Sequence, residues 1–145
     1  MSIHYILALN RQGKVRISKW FDRKISLDEQ FQVRQKIHRL ILSRDHKNQS
    51  NFVEFEKKKL VYRRYAGLFF CMCIDMDDGE LMYLESIHLL VEVLDQYFNN
   101  VCELDLVFSF YKVYAVIDEM FMSGEIEETS KAVILDRLDQ VMAYN

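Results

Sequence analysis

Three carboxylates precede a glycine in the segment DMDDG at residues 75–79, a pattern found in calcium-binding loops. An EF-hand loop has its invariant glycine at position 6 and a bidentate glutamate at position 12. Counted from Asp75, Gly79 takes position 5 and Ser86 takes position 12. The spacing does not fit calcium, and the segment is expected to form a turn.

Other candidates for catalysis fail a similar test. Asp118 and Glu119 are adjacent, so on a helix their side chains diverge by about 100° and do not form a facing pair. The sequence has no nucleophile elbow and no phosphate-binding glycine loop, and it contains only 4 glycines. We therefore expect no enzymatic activity, no cofactor and no metal ion.

Cys71 and Cys73 lie two residues apart in an apolar run, which on a strand places both side chains on one face. A structural zinc site needs about four ligands at suitable spacing. His88 is the nearest histidine, and its place on the apolar side of a predicted helix indicates a core or interface residue. Reduced, buried cysteines are therefore expected.

Basic residues are concentrated in the first half of the chain, although the net charge is only −3. Residues 1–66 contain 16 Lys and Arg against 6 Asp and Glu, whereas residues 67–145 contain 3 against 16. The two halves could neutralise each other or form solvated faces, or the first half could present a basic surface to an acidic partner. An acidic peptide or anionic lipid fits such a surface. No nucleic-acid recognition motif occurs, so no nucleic acid is expected.

The chain is expected to be cytosolic and to fold as one domain spanning residues 1–145. No run of 18 or more apolar residues occurs, and the N-terminus lacks the basic-then-apolar order of a signal peptide. The sequence contains no proline and no low-complexity linker. A length of 145 residues suits one ordinary domain.

The hydrophobic pattern predicts an α+β domain with an antiparallel sheet. Ser26 and Glu29 form a capping box that opens a helix of about four turns. Residues 104–121 are apolar nearly all round and rich in aromatic residues, so periodicity leaves them open between helix and strand. As a helix, this segment would need cover on every side, which indicates a partner. Strands are predicted at residues 3–9, 14–20, 51–56, 59–65 and 68–76, and further helices at 81–98 and 129–141.

Several motifs together resemble the small, or sigma, subunits of clathrin adaptor complexes. They are RQGKVR at residues 11–16 with KW at 19–20, YRRYAGL at 62–68, NVCELDLVF at 100–108, YK at 111–112, DEMF at 118–121, GEI at 124–126 and ETS at 128–130. The match keeps one register over nearly the whole chain, apart from residues 22–35. NFVEF at residues 51–55 and the double arginine before Tyr65 are most similar to the plasma-membrane endocytic adaptor.

The resemblance implies a longin-like fold, in which a five-stranded antiparallel sheet is flanked by helices on both faces. It makes residues 104–121 a helix and a large adaptor subunit the direct partner, within a heterotetramer that has a second large and a medium subunit. The implied function is recognition of acidic dileucine signals in cargo tails, in clathrin-mediated endocytosis. The chain would then be peripheral on the cytoplasmic face of the plasma membrane, held there through the complex.

The resemblance also implies site residues. The leucine pockets of the family match seven positions here, and the basic residue that receives the signal's acidic side chain matches Arg16. Without the resemblance, most of these residues would be interpreted as core, and Arg16 as a solvated strand residue. The seven pocket positions are Ala66, Leu68, Val91, Asn100, Val101, Leu104 and Leu106.

Two alternatives remain from the sequence. The chain could be the small subunit of another adaptor or coat, such as the trans-Golgi and endosomal complex. It could also be a longin-type regulator of membrane fusion, which would be expected to carry a following coiled-coil segment or to act through a separate partner.

Overall fold

A computed structural model describes residues 3–22, 24–44, 51–122, 125–126 and 130–142. Its centre is a five-stranded antiparallel sheet with the order β2-β1-β5-β4-β3. The strands are β1 (Ile3–Asn10), β2 (Val15–Trp20), β3 (Phe52–Phe55), β4 (Lys58–Tyr65) and β5 (Leu68–Asp75). The predicted sheet is confirmed, and no strand end differs from the prediction by more than one residue.

Strand β5 is buried on both faces because every residue from Leu68 to Ile74 is apolar or a cysteine. Its side chains alternate between two hydrophobic clusters. Phe69, Cys71 and Cys73 face one cluster, while Phe70 and Met72 face the other. The expectation that the two cysteines share a face is thus confirmed. Burial raises the pKa of the Cys73 thiol to about 11, and it raises that of Cys71 as well.

Helix α1 (Leu27–Leu42) covers one face of the sheet and inserts Ile37 and Ile41 into the cluster there. It begins as predicted, because Ser26 Oγ accepts a hydrogen bond from the Glu29 backbone N–H at 3.2 Å. The opposite face is covered by α2 (Glu80–Phe98), α4 (Phe110–Met120) and α5 (Lys131–Met142). The predicted start of the last helix, Thr129, lies outside the described residues.

The prediction that residues 104–121 are helical is confirmed except at Ser109, which interrupts the helix, and at Phe121, which lies beyond its end. The segment forms α3 (Glu103–Phe108) and α4, separated at Ser109, whose φ of −123° and ψ of 36° are not helical. Apolar residues continue across the break on all sides, so hydrophobic periodicity contains no signal for it. Beyond α4, Phe121–Met122 (β6) pairs with Glu125–Ile126 (β7) in a short ladder that the sequence did not predict.

His88 is exposed, so its predicted place in the core is wrong, whereas its place at an interface with a partner stays a prediction. The buried side of α2 is centred on Tyr83, Ile87, Leu90 and Leu94. His88 is turned about 100° away from Ile87 and pairs with Glu92 one turn later. The three- and four-residue spacing of apolar residues in α2 did not determine on which side of the helix His88 lies.

The β1–β2 turn is closed by the side chain of Asn10, whose Oδ1 accepts hydrogen bonds from the N–H groups of Gln12 and Lys14 at 2.9 and 3.0 Å. Gly13 has φ +87° and packs against helix α1. A Cβ atom at Gly13 would lie 2.6 Å from His38 Nδ1. Both the backbone conformation and the close approach therefore require glycine.

A pair of alanine substitutions separates these two requirements. Gly67, in the β4–β5 turn, has φ +78° but nothing within 4 Å of an added Cβ. Gly67→Ala should reduce the free energy of unfolding by about 1 kcal/mol, the usual cost of a left-handed non-glycine residue. Gly13→Ala should cost more, because the His38 ring must also move. Chemical denaturation measures both, and equal losses would show that the His38 contact is unimportant.

Candidate functional site

The seven predicted pocket residues come from five segments: the β4–β5 turn, the start of β5, α2, the loop after α2, and α3. Four of them, Leu68, Val91, Val101 and Leu106, belong to one buried cluster, and none is more than 3% exposed. Ala66 and Asn100 are exposed, and Leu104 is 63% exposed. Four of the seven side chains are therefore buried next to one another in the core, and the other three are exposed.

Two consecutive asparagines give the loop after α2 its shape. Asn99 ends the helix in the left-handed conformation with φ 55°, and Asn100 follows with φ 77°. Asparagine adopts this region more readily than most residues because its short amide side chain can bond locally. The turn reverses the chain, so that Asn100 faces solvent while Val101 enters the core.

Asp95 fixes this loop to the sheet. Its Oδ1 accepts a hydrogen bond from the Tyr65 hydroxyl at 2.5 Å and another from the Val101 N–H at 3.1 Å. Its backbone carbonyl also accepts from the Asn100 N–H at 2.9 Å. The bond to Asp95 raises the pKa of Tyr65, because the carboxylate stabilises the protonated phenol. Sequence analysis missed the roles of Tyr65 and Asp95, since the two residues lie 30 positions apart.

Ala66 is presented to solvent by the two-residue β4–β5 turn, in which Tyr65 pairs with Leu68. Its φ is 52° and that of Gly67 is 78°, a combination typical of the tight turns that suit twisted hairpins. The Tyr65–Asp95 hydrogen bond therefore ties this turn directly to the loop that carries Asn100 and Val101.

Arg16 lies beside α3, the helix that carries two of the predicted pocket positions. Its Nε donates a hydrogen bond of 2.9 Å to Glu103 Oε1, and Asn10 Nδ2 donates to the same oxygen at 2.8 Å. Arg16 and then Asn10 lower the pKa of the Glu103 carboxyl below its usual range. Glu103, which pairs with Arg16, directly precedes Leu104 in α3. Arg16 on β2 therefore lies beside the short helix that carries the predicted pocket position Leu104. No sequence pattern indicated that Arg16 already has an acidic partner, because Glu103 lies 87 positions away.

A row of large apolar side chains remains exposed on α3 and the first turn of α4. We call it the α3–α4 apolar surface: Leu104, Val107, Phe108, Phe110 and Tyr111, which are 63%, 36%, 74%, 53% and 52% exposed. Clustered exposed aromatic residues of this kind mark interaction surfaces. The predicted need for cover on residues 104–121 therefore applies to α3 and the start of α4, whereas Val113, Val116 and Ile117 are buried within the domain.

Tyr114 attaches α4 to the outer edge of the sheet. Its hydroxyl accepts a hydrogen bond from the Ser18 N–H at 2.9 Å and donates one to the Ser18 carbonyl at 3.0 Å. Strand β2 is an edge strand, and these two bonds satisfy backbone groups that would otherwise be open to another strand. They also fix the position of α4 relative to Arg16, two residues earlier on β2.

Comparison with known proteins identifies the family. The sequence profile of the clathrin adaptor complex small chain matches residues 2–144. The chain belongs to this family. It is 60% identical over 142 residues to the AP-2 complex subunit sigma of Aspergillus fumigatus, covering 97% of both chains. Against the AP-1 complex subunit sigma-2 of Dictyostelium discoideum, the identity is 44%, with 97% of this chain and 90% of the relative covered.

The fold agrees with the family. The chain superimposes with a TM-score of 0.76 on a chain of a homology model of the full-length AP-3 complex in a stretched open conformation. The alignment covers 98% of this chain and 94% of the other, at 27% sequence identity. The predicted family and the predicted α+β, longin-like architecture are confirmed. A small chain of this family assembles with other adaptor subunits in a heterotetramer.

Among the described residues, no helix combines the length and the apolar character needed to cross a membrane. The same residues contain no group of three or more histidine, cysteine, aspartate or glutamate side chains arranged to hold a metal ion.

The Tyr65–Asp95 hydrogen bond can be tested by Tyr65→Phe, which removes the hydroxyl and keeps the ring. Asp95 then loses its shortest bond, and the free energy of unfolding should fall by about 1–2 kcal/mol. Faster hydrogen exchange at the Asn100 and Val101 amides is expected as well, because the loop loses its tie to the sheet.

Tyr111→Phe is the matched control, since Tyr111 is half-exposed at the start of α4 and its ring contacts that of Phe110. It should leave both stability and exchange near the wild-type values. Unchanged exchange in Tyr65→Phe would show that the loop holds its shape without the tyrosine.

Proposed function

We propose that this chain is the small subunit of the heterotetrameric plasma-membrane clathrin adaptor complex, acting in clathrin-mediated endocytosis. Its similarity to AP-2 sigma subunits carries the proposal: 60% identity with the Aspergillus protein exceeds the 44% found for an AP-1 subunit. The trans-Golgi and endosomal alternative is therefore not favoured. In this role the chain is a non-catalytic, single longin-like domain spanning residues 1–145. It reaches the cytoplasmic face of the plasma membrane through the complex.

The direct partner in this proposal is a large adaptor subunit, which covers the α3–α4 apolar surface apart from Leu104, one of the proposed cargo positions. Phe108 is the most exposed member of that surface at 74%, and complete burial of a phenylalanine contributes roughly 1.5–3 kcal/mol. The four remaining side chains lie close together in sequence and are of the apolar and aromatic kinds found in interface cores. The second large subunit and the medium subunit complete the heterotetramer.

The proposed cargo is a cytosolic tail peptide with an acidic dileucine signal. Its leucines would bind where the β4–β5 turn, the loop after α2 and α3 meet, at the seven positions given above. Leu68, Val91, Val101 and Leu106 are buried here, so a leucine can enter only after α3 or the loop moves. Because α3 packs chiefly through Leu106, binding of the large subunit to its outer side is a physical means of moving it.

Arg16 is proposed to receive the acidic residue of the signal. Its side chain is 30% exposed and already pairs with Glu103, so a cargo carboxylate must compete with an intramolecular one. A partly exposed ion pair contributes on the order of 1 kcal/mol or less, which favours specificity over affinity. Weak single sites suit cargo that is captured by an adaptor held at the membrane through several contacts.

Assembly is tested with the double variant Phe108→Glu and Phe110→Glu. Both side chains are more than half exposed, so the charges should leave the fold intact but prevent co-purification with the co-expressed large subunit. Leu27→Glu is the control, because Leu27 is 80% exposed at the start of α1 on the other face. Normal co-purification of the double variant would place the partner on another surface.

Cargo binding is tested with Ala66→Asp in the assembled complex. Ala66 is exposed and left-handed, a conformation that aspartate tolerates, so the variant adds a charge at the site without disturbing the core. Dileucine peptide binding measured by calorimetry should fall about tenfold or more. Lys57→Asp, in the left-handed β3–β4 turn, should bind normally. Wild-type affinity of Ala66→Asp would remove this turn from the cargo site.

The acidic position is tested by comparing Arg16→Ala with Glu103→Gln. Arg16→Ala should weaken a peptide that bears the acidic residue by up to about fivefold, and should change a peptide without it much less. Glu103→Gln removes the competing carboxylate and should strengthen the acidic peptide. If both peptides respond equally to either change, Arg16 does not contact the acidic residue.

A further inference from the structure

A cavity of about 660 Å³ lies between the β1–β2 hairpin and helix α1, on the sheet face opposite α2. Apart from Arg16, none of its lining residues belongs to the candidate cargo site. The hairpin contributes Gln12, Gly13, Lys14, Val15 and Arg16, and the helix contributes Phe31, Arg34, Gln35, His38 and Arg39.

The cavity is strongly and uniformly basic. Lys14, Arg16, Arg34 and Arg39 line it, and no lining residue is an aspartate or glutamate. Arg16 pairs with Glu103, but Lys14, Arg34 and Arg39 form no ion pair with any described residue. Several unpaired cations around one cavity repel one another, so an anion bound there would be strongly favoured.

Arg34 is the most constrained of these side chains. Its Nη2 donates a hydrogen bond of 2.9 Å to Ser18 Oγ, which anchors the guanidinium to β2. Its Nε is buried and has no hydrogen-bond partner within the described part of the chain. Trp20 Nε1 donates to the same Ser18 oxygen at 2.7 Å, so that oxygen is already shared. The charge of Arg34 is thus fixed in place before any ligand binds, which reduces the entropy cost of binding.

The donor set favours phosphate over peptide carboxylates. Guanidinium groups bind phosphate oxygens in a bidentate way, and Arg34, Arg39 and Lys14 line one open cavity, whose remaining arginine, Arg16, pairs with Glu103. An acidic peptide would instead spread its charges along a groove, at about 3.3 Å per extended residue. Phe31, which is 57% exposed at the rim, adds an apolar surface against which a ring can pack.

We propose that this cavity binds a small ligand that carries two or more phosphate groups on a compact ring. The shared chemistry is that of an inositol phosphate, either free in solution or as the headgroup of a membrane lipid. Arg16 is common to this cavity and the proposed cargo site, whereas Lys14, Arg34 and Arg39 line the cavity alone, and the ligand would add an anion contact on the α1 face of the subunit.

The test uses the assembled adaptor complex and a readout confined to this cavity: hydrogen exchange of peptides from α1 and the β1–β2 hairpin. Inositol 1,4,5-trisphosphate should slow exchange in both segments. The double variant Arg34→Gln and Arg39→Gln should weaken this protection about tenfold or more. The double variant Lys36→Gln and Lys57→Gln removes equal charge from residues that do not line the cavity, and it should behave as wild type.

A second arm uses phosphatidylcholine vesicles with and without phosphatidylinositol 4,5-bisphosphate. Stronger protection by the phosphoinositide vesicles than by the free trisphosphate identifies the lipid as the source, and the reverse identifies the free compound. Equal protection by inorganic sulfate at the same ionic strength would mean an adventitious ion only and would overturn the proposal. Protection by an acidic peptide alone, or none by any probe, would overturn it as well.

Discussion

Strand β5 pairs with β1 on one side and β4 on the other, and its side chains are buried on both faces of the sheet. This double burial is the constraint on which the remaining architecture depends. A sheet whose central strand is apolar on both faces must be covered twice, and a domain of this length has few elements for the task. Within the described part of the chain, helix α1 covers one face, whereas α2, α4 and α5 share the other.

Helix α3 is the element left incompletely covered. It is six residues long and buries Leu106, while Leu104, Val107 and Phe108 remain exposed. It is nevertheless positioned precisely, because Glu103 at its start bonds to both Arg16 and Asn10 on the β1–β2 hairpin. An element that is well anchored at one end and apolar on its outer side is suited to bind a partner. The same helix carries two of the proposed cargo residues, Leu104 and Leu106, so in the proposed function assembly and cargo access would be physically coupled there.

Much of the fold followed from the sequence because strong local patterns agree with the tertiary structure. The apolar run of β5 and the Ser26 cap each act over a few residues. The break at Ser109 did not follow, since serine is compatible with a helix and the apolar pattern is continuous across it. The exposed orientation of His88 was missed because His88 and its neighbour Ile87 both have apolar residues three and four positions away, so the spacing does not show which of them faces the core.

The candidate site was less accessible to prediction from the residues alone. Leu68, Val91 and Leu106 are indistinguishable by pattern from ordinary core residues, and the structure places them in the core. Only the resemblance to a family connected them with the exposed Ala66 and Asn100. The bonds that organise the site, Tyr65 to Asp95 and Arg16 to Glu103, join residues 30 and 87 positions apart, and no local signal reports such pairs.

The central claim is that this chain is the small subunit of an endocytic, AP-2-type adaptor. The most direct measurement is affinity purification of the tagged chain expressed at its natural level, with quantitative mass spectrometry of the proteins recovered. We expect the chain to be recovered with three further adaptor subunits in one-to-one ratio, two large and one medium, all of the AP-2 type. Recovery of a complete set of AP-1 or AP-3 subunits instead, or of no stoichiometric adaptor subunit, would contradict it.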